Sequence, residues 1–252
     1  MPFAKNGEAK IYYEVSGSGF PILMLAAGFM YSRIEAWSRM QEMYPDHRFN
    51  PLTDYTSDFR MVAMDQRNAN GQSVAPIKPT DDWSDFADDQ MAVLEAAGID
   101  RFHIWGGCIG VSFAFELCKR VPERIASMVL QDPVGVSLDA PMATIELFDK
   151  YAADITADRP DLDIEDVRKF GRNLFDKDFD KEFTFNATRQ FIRGLDIPML
   201  VMLKFDDAYH PRVTADEIHA NAQDSEFYDD WTSATAERNA NRIRNFLNRH
   251  TP

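Results

Sequence analysis

Short unbroken apolar runs alternate along the chain with longer stretches in which apolar residues recur at helical spacing. An apolar run without alternating polar positions, such as Pro21–Ala26, is typical of a strand that is buried on both faces. The alternating segment Ile11–Val15 predicts a strand with one buried face. The same patterns predict further strands at Arg60–Asp65, Phe102–Trp105, Ile125–Leu130 and Ile197–Leu203.

The stretch Asp82–Ala97 places Trp83, Phe86 and Leu94 near one face of an amphipathic helix. Gly98 follows it as a helix stop. Strands that alternate with helices predict a mostly parallel sheet with helices on both faces, so the expected fold class is α/β. The remaining predicted helices are Ile34–Met43, Ile109–Arg120 and Ala234–Asn248.

One long segment, residues 137–195, breaks this alternation. It has no apolar strand run, it is acidic, and its Phe and Leu residues fit helices. We interpret it as a helical cap inserted between two strands of a core domain formed by residues 1–136 and 196–252. Phe148, Tyr151, Phe170, Phe175 and Phe191 either line an apolar pocket under this cap or form its own small core.

The amino-acid composition argues against several classes of function. The 252 residues carry 41 acidic and 27 basic side chains, a formal charge of −14 that repels nucleic acid and anionic lipid. Two cysteines without a CxxC pair argue against a zinc site or a disulfide scaffold. The sequence shows neither a signal peptide nor a membrane-spanning apolar run, so we expect a cytoplasmic protein. No pattern calls for a metal or cofactor, and the expected partner is a small-molecule substrate.

The main chemical motif is Gly106-Gly107-Cys108-Ile109-Gly110, which follows a predicted strand and opens a helix. This is the glycine–x–nucleophile–x–glycine pattern of a nucleophile elbow. Glycines allow the sharp strand-to-helix turn, which presents the side chain of Cys108 at the edge of the sheet. The helix N-terminus favours a thiolate there. The alternative is a glycine-rich turn that holds a buried, inert cysteine.

With this elbow, the chain resembles the α/β-hydrolase superfamily from about residue 9 to residue 249. The resemblance implies the α/β-hydrolase fold, and it is specific to the superfamily but not to one reaction. Four segments carry it: Ala27-Gly28-Phe29 after an apolar strand, Asp65-Gln66-Arg67-Asn68-Ala69-Asn70-Gly71-Gln72-Ser73, the elbow itself, and Pro198–Leu203 followed by Lys204-Phe205-Asp206-Asp207.

The resemblance also implies roles for individual residues. Cys108 matches the nucleophile, and the backbone N–H groups of Phe29 and Ile109 match the oxyanion hole. Asp207, with Asp206 beside it, matches the acid of the catalytic triad. Asp132 is a possible alternative acid, because it ends the strand after the elbow, although an aspartate before a proline is also common in turns.

The family histidine is missing. Its usual place is the loop before the last helix, which corresponds to residues 227–233, and none of these is histidine. His210 lies at the catalytic edge of the sheet, in the loop that carries Asp207, and we predict that it replaces the missing base. The competing interpretation is that His210 caps the next helix beside Pro211. The other histidines, each assigned a structural or peripheral position, are His47, His103, His219 and His250.

Three functions are compatible with this pattern. The first is hydrolysis of an ester, lactone or related carbonyl compound by Cys108, which requires His210 or a carboxylate such as Asp229 to activate water. The second is a cofactor-free lyase reaction or C–C cleavage in the same pocket. The third is a catalytically silent protein that binds a ligand or a partner, which the missing family histidine would explain.

Overall fold

The computed structural model describes residues 2–43, 50–137, 139–176, 183–230 and 234–252, and its centre is an eight-stranded sheet. His47 lies outside the described residues. The strand order is β1-β2-β4-β3-β5-β6-β7-β8. The strands are β1 (Phe3–Asn6), β2 (Ala9–Gly17), β3 (Phe20–Leu25), β4 (Phe59–Met64), β5 (Phe102–Gly107), β6 (Ile125–Gln131), β7 (Met199–Met202) and β8 (Ser225–Tyr228).

Only the first two pairings in this sheet are antiparallel, β1 with β2 and β2 with β4. All pairings from β4 to β8 are parallel. The prediction of an α/β fold with a mostly parallel sheet is therefore confirmed. Because the carboxyl ends of parallel strands meet at one edge, the loops after β3, β5, β6 and β7 lie together there.

Helices connect the strands and cover both faces of the sheet. One core layer contains Val93, Phe113 and Ile218, and the opposite layer contains Trp37 and Phe246. The α-helices are α1 (Glu35–Met43), α2 (Pro51–Asp54), α3 (Trp83–Ala96), α4 (Gly110–Cys118), α5 (Ala143–Asp158), α6 (Ile164–Phe175), α7 (Arg189–Arg193), α8 (Arg212–Asn221) and α9 (Ala236–Arg249).

Two edge strands were not predicted from the sequence. β1 is short and mostly exposed, and β8 is half-buried, so neither shows the apolar run that marks the central strands. β8 also corrects the start of the stretch 227–233, which was interpreted as a loop, because Phe227 and Tyr228 pair with Val201 and Met202 in the sheet. Residues 231–233 of that stretch lie outside the described residues.

Within residues 137–195 the described part contains the helices α5, α6 and α7 and no strand. Leu138 and residues 177–182 lie outside the description. α5 and α6 pack against each other and turn aromatic side chains towards the loop after β3, where Phe148 and Phe175 contact the ring of Phe29. Among the described residues, no helix is long and apolar enough to cross a membrane.

Candidate active site

The turn between β5 and α4 has the geometry of a nucleophile elbow. Cys108 adopts a left-handed backbone conformation with φ of 54°, which is strained for a residue with a side chain. Its amide donates to the carbonyl of Gln131 at 2.8 Å, which ties the turn to β6. A Cβ on Gly106 would lie 2.7 Å from the carbonyl oxygen of Gly110, and a Cβ on Gly110 would overlap the carbonyl of Leu25. Both glycines are needed because backbone passes this close.

The loop after β3 forms a second tight turn at the same edge. Gly28 has φ of 121°, and Phe29 has φ of 54°. A short 3-10 helix, Phe29–Tyr31, follows, and Ser32 fixes it by donating from its hydroxyl to the carbonyl of Ala26 at 2.7 Å. Phe29 is half-buried, and Ile109 is the buried N-cap residue of α4. These are the positions whose backbone N–H groups the resemblance assigns to an oxyanion hole.

The loop between β7 and α8, residues 203–211, carries the histidine, and we refer to it as the His210 loop. Asp207 folds it back on itself, because one carboxylate oxygen accepts from the amide of Tyr209 at 2.8 Å and from that of His210 at 2.9 Å. The amide of Gly135 donates to the carbonyl of Tyr209 at 3.2 Å. The loop is thus held both internally and from the segment after β6.

The His210 loop brings the imidazole to the cysteine. Nε2 of His210 lies 3.2 Å from Sγ of Cys108, although the two residues are 102 positions apart in the chain. Nδ1 of the same ring lies 3.0 Å from Oδ1 of Asp207. Cys108 is half-buried, the His210 side chain is 16% exposed and that of Asp207 is 48% exposed. The three side chains form a continuous thiol–imidazole–carboxylate chain that solvent reaches from the Asp207 side.

The electrostatics of this chain favour a charged imidazole. Burial lowers the pKa of His210, but its hydrogen bond and charge attraction to Cys108, with the charges of Asp207 and Asp132, outweigh burial and raise it to about 9. Burial raises the pKa of Asp207. The two amides that donate to its carboxylate and the imidazole of His210 lower this pKa by more, so it lies below the usual value. A raised histidine pKa beside a lowered carboxyl pKa is the pattern of an ion pair.

Three other carboxylates near the end of the sheet, those of Asp132, Asp206 and Asp229, have different surroundings. Asp132 is 3% exposed and accepts through Oδ1 from the amides of Lys204 and Phe205, at 2.5 and 3.3 Å. Asp206 accepts from the amide of Arg212 at 3.0 Å, at the start of α8. Asp229 pairs with Arg212 at 2.8 Å. The carboxylate that the structure places on the ring of His210 is therefore Asp207.

His103, His219 and the second cysteine have other hydrogen-bonding or packing partners. His103 is fully buried between the hydroxyls of Ser127 and Thr251, at 2.8 and 3.0 Å. His219 lies in α8 and contacts the hydroxyl of Ser225 at 2.7 Å. Cys118 is 1% exposed, packs against Met128, and has a pKa raised by burial. Cys118 therefore has neither the access nor the ionisation that a nucleophile needs.

Aromatic side chains surround the turn at Phe29. Its ring stacks on that of Phe175 with centroids 5.2 Å apart and meets that of Phe148 at 6.3 Å. Phe185 contacts Phe175 from the other side at 5.0 Å. Phe205, a residue of the Asp207 motif whose side chain was given no role from the sequence, lies with its ring 5.6 Å from the imidazole of His210. Phe205 lies next to His210 because of the path that the His210 loop takes.

Two cavities open beside the Phe29 turn. One of about 430 Å³ is lined by Ala27, Gly28 and Arg33, and one of about 630 Å³ by Asn68, Tyr151 and Arg159; Tyr31 lines both. Tyr31 and Tyr151 reach across this region, donating to the carboxylate of Asp154 at 2.9 Å and to the carbonyl of Asn68 at 3.2 Å. The space next to the turn is therefore bounded by the core and by α5.

Comparison with known proteins agrees with this architecture. The model of the family described as alpha/beta hydrolase fold matches residues 30–199, more than half of the chain. A putative carbamate hydrolase RutD of Azorhizobium caulinodans is 32% identical over 135 residues, 52% of this chain and 43% of that protein. A 2-hydroxymuconate semialdehyde hydrolase of a Pseudomonas species is 27% identical over 122 residues, 48% and 39% of the two chains. The matched region thus spans less than half the length of these two curated relatives.

Among solved structures, a thermophilic esterase from Thermogutta terrifontis superposes with a TM-score of 0.67 at 18% identity, covering 98% of this chain and 97% of the esterase. At that identity the likeness concerns the fold. The family match, the sheet order and the elbow geometry together define the class: the chain belongs to the α/β-hydrolase family.

Proposed function

We propose that the protein hydrolyses an ester, lactone or related carbonyl compound, with Cys108 as the nucleophile and His210 as the base. The observation that carries the proposal is the contact of 3.2 Å between Nε2 of His210 and Sγ of Cys108, with Asp207 on the other ring nitrogen. A nucleophile, a base and a group that orients the base are the three parts that this kind of catalysis requires.

In the proposed reaction the Cys108 thiolate attacks the carbonyl carbon, forming a C–S bond while the carbonyl oxygen takes up negative charge. The N–H groups of Phe29 and Ile109 would stabilise that oxygen. The C–O bond of the substrate then breaks, and the leaving alkoxide takes a proton from the His210 imidazolium. Neutral His210 next removes a proton from water, whose oxygen attacks the thioester. The C–S bond breaks, and the thiolate and imidazolium form again.

The position of His210 supports a catalyst over a silent binding protein. The silent alternative rested on the missing family histidine, and a histidine in contact with the thiol removes that reason. Both curated relatives are named as hydrolases, which favours hydrolysis over a lyase reaction. Asp207 is the proposed orienting acid because it is the carboxylate on the ring.

We further propose that residues 137–195 form a cap over the site and that the acyl part of the substrate is apolar or aromatic. The support is the contact of Phe148 and Phe175 with Phe29, the residue assigned to the oxyanion hole. An apolar acyl group bound against these rings would be shielded from water next to the thiol. The proposed partner is thus a small molecule, and the mechanism uses no metal or cofactor.

A panel of p-nitrophenyl esters with acyl groups from acetyl to benzoyl tests this function. We expect turnover by the wild-type protein, and a loss of at least about 10²-fold in kcat for Cys108→Ala, because the nucleophile is removed. Cys118→Ala is the matched control and should keep the wild-type rate, since this thiol is buried away from the site. Equal turnover by wild type and Cys108→Ala would refute the thiol mechanism.

A further inference from the structure

The carboxylate of Asp132 lies at a junction between the elbow, β6 and the His210 loop. Asp132 directly follows Gln131, whose carbonyl accepts from the amide of Cys108. Its own amide donates to the carbonyl of Met202, the last residue of β7, at 2.7 Å. The residue is 3% exposed and has φ of 49°, a left-handed conformation that costs free energy for a residue with a side chain.

The two oxygens of this carboxylate have unequal surroundings. Oδ1 accepts from the amides of Lys204 and Phe205, the residues with which the His210 loop leaves β7. Oδ2 is buried and has no hydrogen-bond partner among the described residues. A buried carboxylate oxygen without a partner is costly, so its retention needs a compensating interaction.

The charges of His210 and Lys204 act on this carboxylate and favour its ionised form. Burial raises the pKa of Asp132, while the amides of Lys204 and Phe205 and the charges of His210 and Lys204 oppose the rise. The charge of Asp132 in turn helps to raise the pKa of His210. Among the described residues, the charged or titratable groups with the largest effect on His210 are Cys108, Asp207 and Asp132, and those with the largest effect on Asp132 are His210 and Lys204.

We infer that Asp132 is a positioning residue for His210: its Oδ1 anchors the start of the His210 loop through two backbone amides, and its negative charge stabilises the imidazolium from outside the Cys108–His210–Asp207 chain. The inference rests on the proposed function, since it concerns the same base. It explains why this loop can hold a histidine at the thiol: Asp132 fixes its beginning, and Asp207 fixes its end.

Two variants distinguish the role of Asp132 as a loop anchor from the role of its negative charge. Asp132→Asn keeps an Oδ1 acceptor for the two amides but removes the negative charge, whereas Asp132→Ala removes both. Asp216→Asn is the matched control, because it removes a half-exposed carboxylate from α8 that pairs with Arg212 at 3.4 Å.

The charge is tested by NMR titration of the histidine rings, with the His210 signal assigned by its absence in His210→Asn. We expect the titration midpoint of His210 to fall by about one pH unit in Asp132→Asn and to stay in place in Asp216→Asn. Anchoring is tested by hydrogen exchange. The amides of Lys204 and Phe205 should exchange at least about tenfold faster in Asp132→Ala than in Asp132→Asn.

An unchanged His210 midpoint in Asp132→Asn would overturn the charge role, and equal exchange of the two amides in all variants would overturn the anchoring role. If Asp132→Ala does not fold, hydrogen exchange of the Lys204 and Phe205 amides in Asp132→Asn still tests the anchoring role. Protection as in wild type supports anchoring by Oδ1, and loss of protection contradicts it. Neither measurement uses a substrate. Failure of the proposed hydrolysis would appear instead as full turnover by Cys108→Ala.

Discussion

The ring of His210 has an acceptor on each side, which determines how it can be protonated. Sγ of Cys108 lies at Nε2 and the carboxylate of Asp207 at Nδ1, so an imidazolium can donate one N–H to each. Neutral imidazole with its proton on Nδ1 also keeps both contacts, because the Cys108 thiol can then donate to Nε2. The raised pKa of His210 and the lowered pKa of Asp207 favour an imidazolium–carboxylate ion pair, and the imidazolium is the form that can protonate a leaving group.

This ion pair predicts the alkaline limit of the reaction. Because the pKa of His210 is raised to about 9, kcat/KM for an alkyl ester should fall above about pH 9, as the imidazolium loses the proton that the alkoxide needs. Asp207→Asn removes a negative charge from the ring, lowers the pKa of His210 and should move this fall to lower pH. The measurement is the pH profile of kcat/KM for both proteins.

A p-nitrophenyl ester provides the control for this profile, because p-nitrophenolate leaves without a proton. Its profile should lack the fall above about pH 9. If the alkyl and nitrophenyl esters show the same alkaline limb, or if Asp207→Asn leaves the alkyl-ester limb in place, His210 does not protonate the leaving group.

The predictions for single residues show which parts of the site can be identified from the sequence alone. The elbow and the Asp207 turn are local motifs, so Cys108 and Asp207 could be identified from a few neighbouring residues. The pairing of His210 with Cys108 depends on the order of β5, β6 and β7 in the sheet and on how the His210 loop folds back. Elimination among five histidines predicted that pairing. Asp132 as a loop anchor could not be predicted, because its contacts are with backbone amides.

At the level of elements, the central strands and the long helices were recognisable because burial on both sheet faces produces unbroken apolar runs. β1 and β8 were missed because an edge strand is exposed on one side and carries mixed residues, so it shows no unbroken apolar run. β8 in addition occupies part of the stretch in which the family would hold its histidine. Strand pairing there fixes the backbone of Phe227 and Tyr228 in the sheet.

The packing of α5 on α6 gives a prediction at this scale. A Cβ on Gly171 in α6 would overlap Cδ1 and Cε1 of Phe148 in α5, a ring that is 2% exposed and contacts Phe29. Gly171→Ala should therefore lower the free energy of unfolding by about 1–3 kcal/mol, measured by urea denaturation, because an overpacked core must shift. Displacement of Phe148 should also raise KM for benzoyl esters more than it lowers kcat.

Gly194→Ala is the matched control for that variant. Gly194 ends α7 with φ of −81°, and a Cβ there would lie 3.3 Å from the carbonyl oxygen of Phe191. The free energy of unfolding of Gly194→Ala should stay within about 0.5 kcal/mol of the wild-type value. Equal effects of the two substitutions, or an unchanged KM in Gly171→Ala, would contradict the proposed link between the α5–α6 contact and the substrate.

On the scale of the whole molecule, the amino ends of β5 and β6 are linked through a buried histidine to the segment that follows α9. The ring of His103 in β5 contacts Ser127 in β6 and Thr251 after α9, and burial lowers its pKa to about 3. A histidine whose pKa is lower in the folded than in the unfolded protein contributes stability above its unfolded pKa. That contribution is lost as the pH falls from about 6.5 towards 3.

We therefore expect His103→Gln to reduce the acid sensitivity of folding. Between about pH 7 and pH 5 the wild-type protein should lose about 2 kcal/mol more of its free energy of unfolding than the variant does, because only wild-type His103 takes up a proton on unfolding. Urea denaturation of both proteins at the two pH values gives the difference directly. Identical losses would show that His103 is charged or exposed in the folded protein.

The central claim, that Cys108 is the nucleophile and His210 its base, is tested most directly by trapping the acyl-enzyme. His210→Asn and wild type are mixed with p-nitrophenyl acetate, quenched in acid at a series of times, and the digested peptides are weighed by mass spectrometry. The account predicts one acetyl group on the Cys108 peptide, decaying at least about 10²-fold more slowly in His210→Asn because water is no longer activated. An acetyl group on another residue, or equal decay in the two proteins, would contradict it.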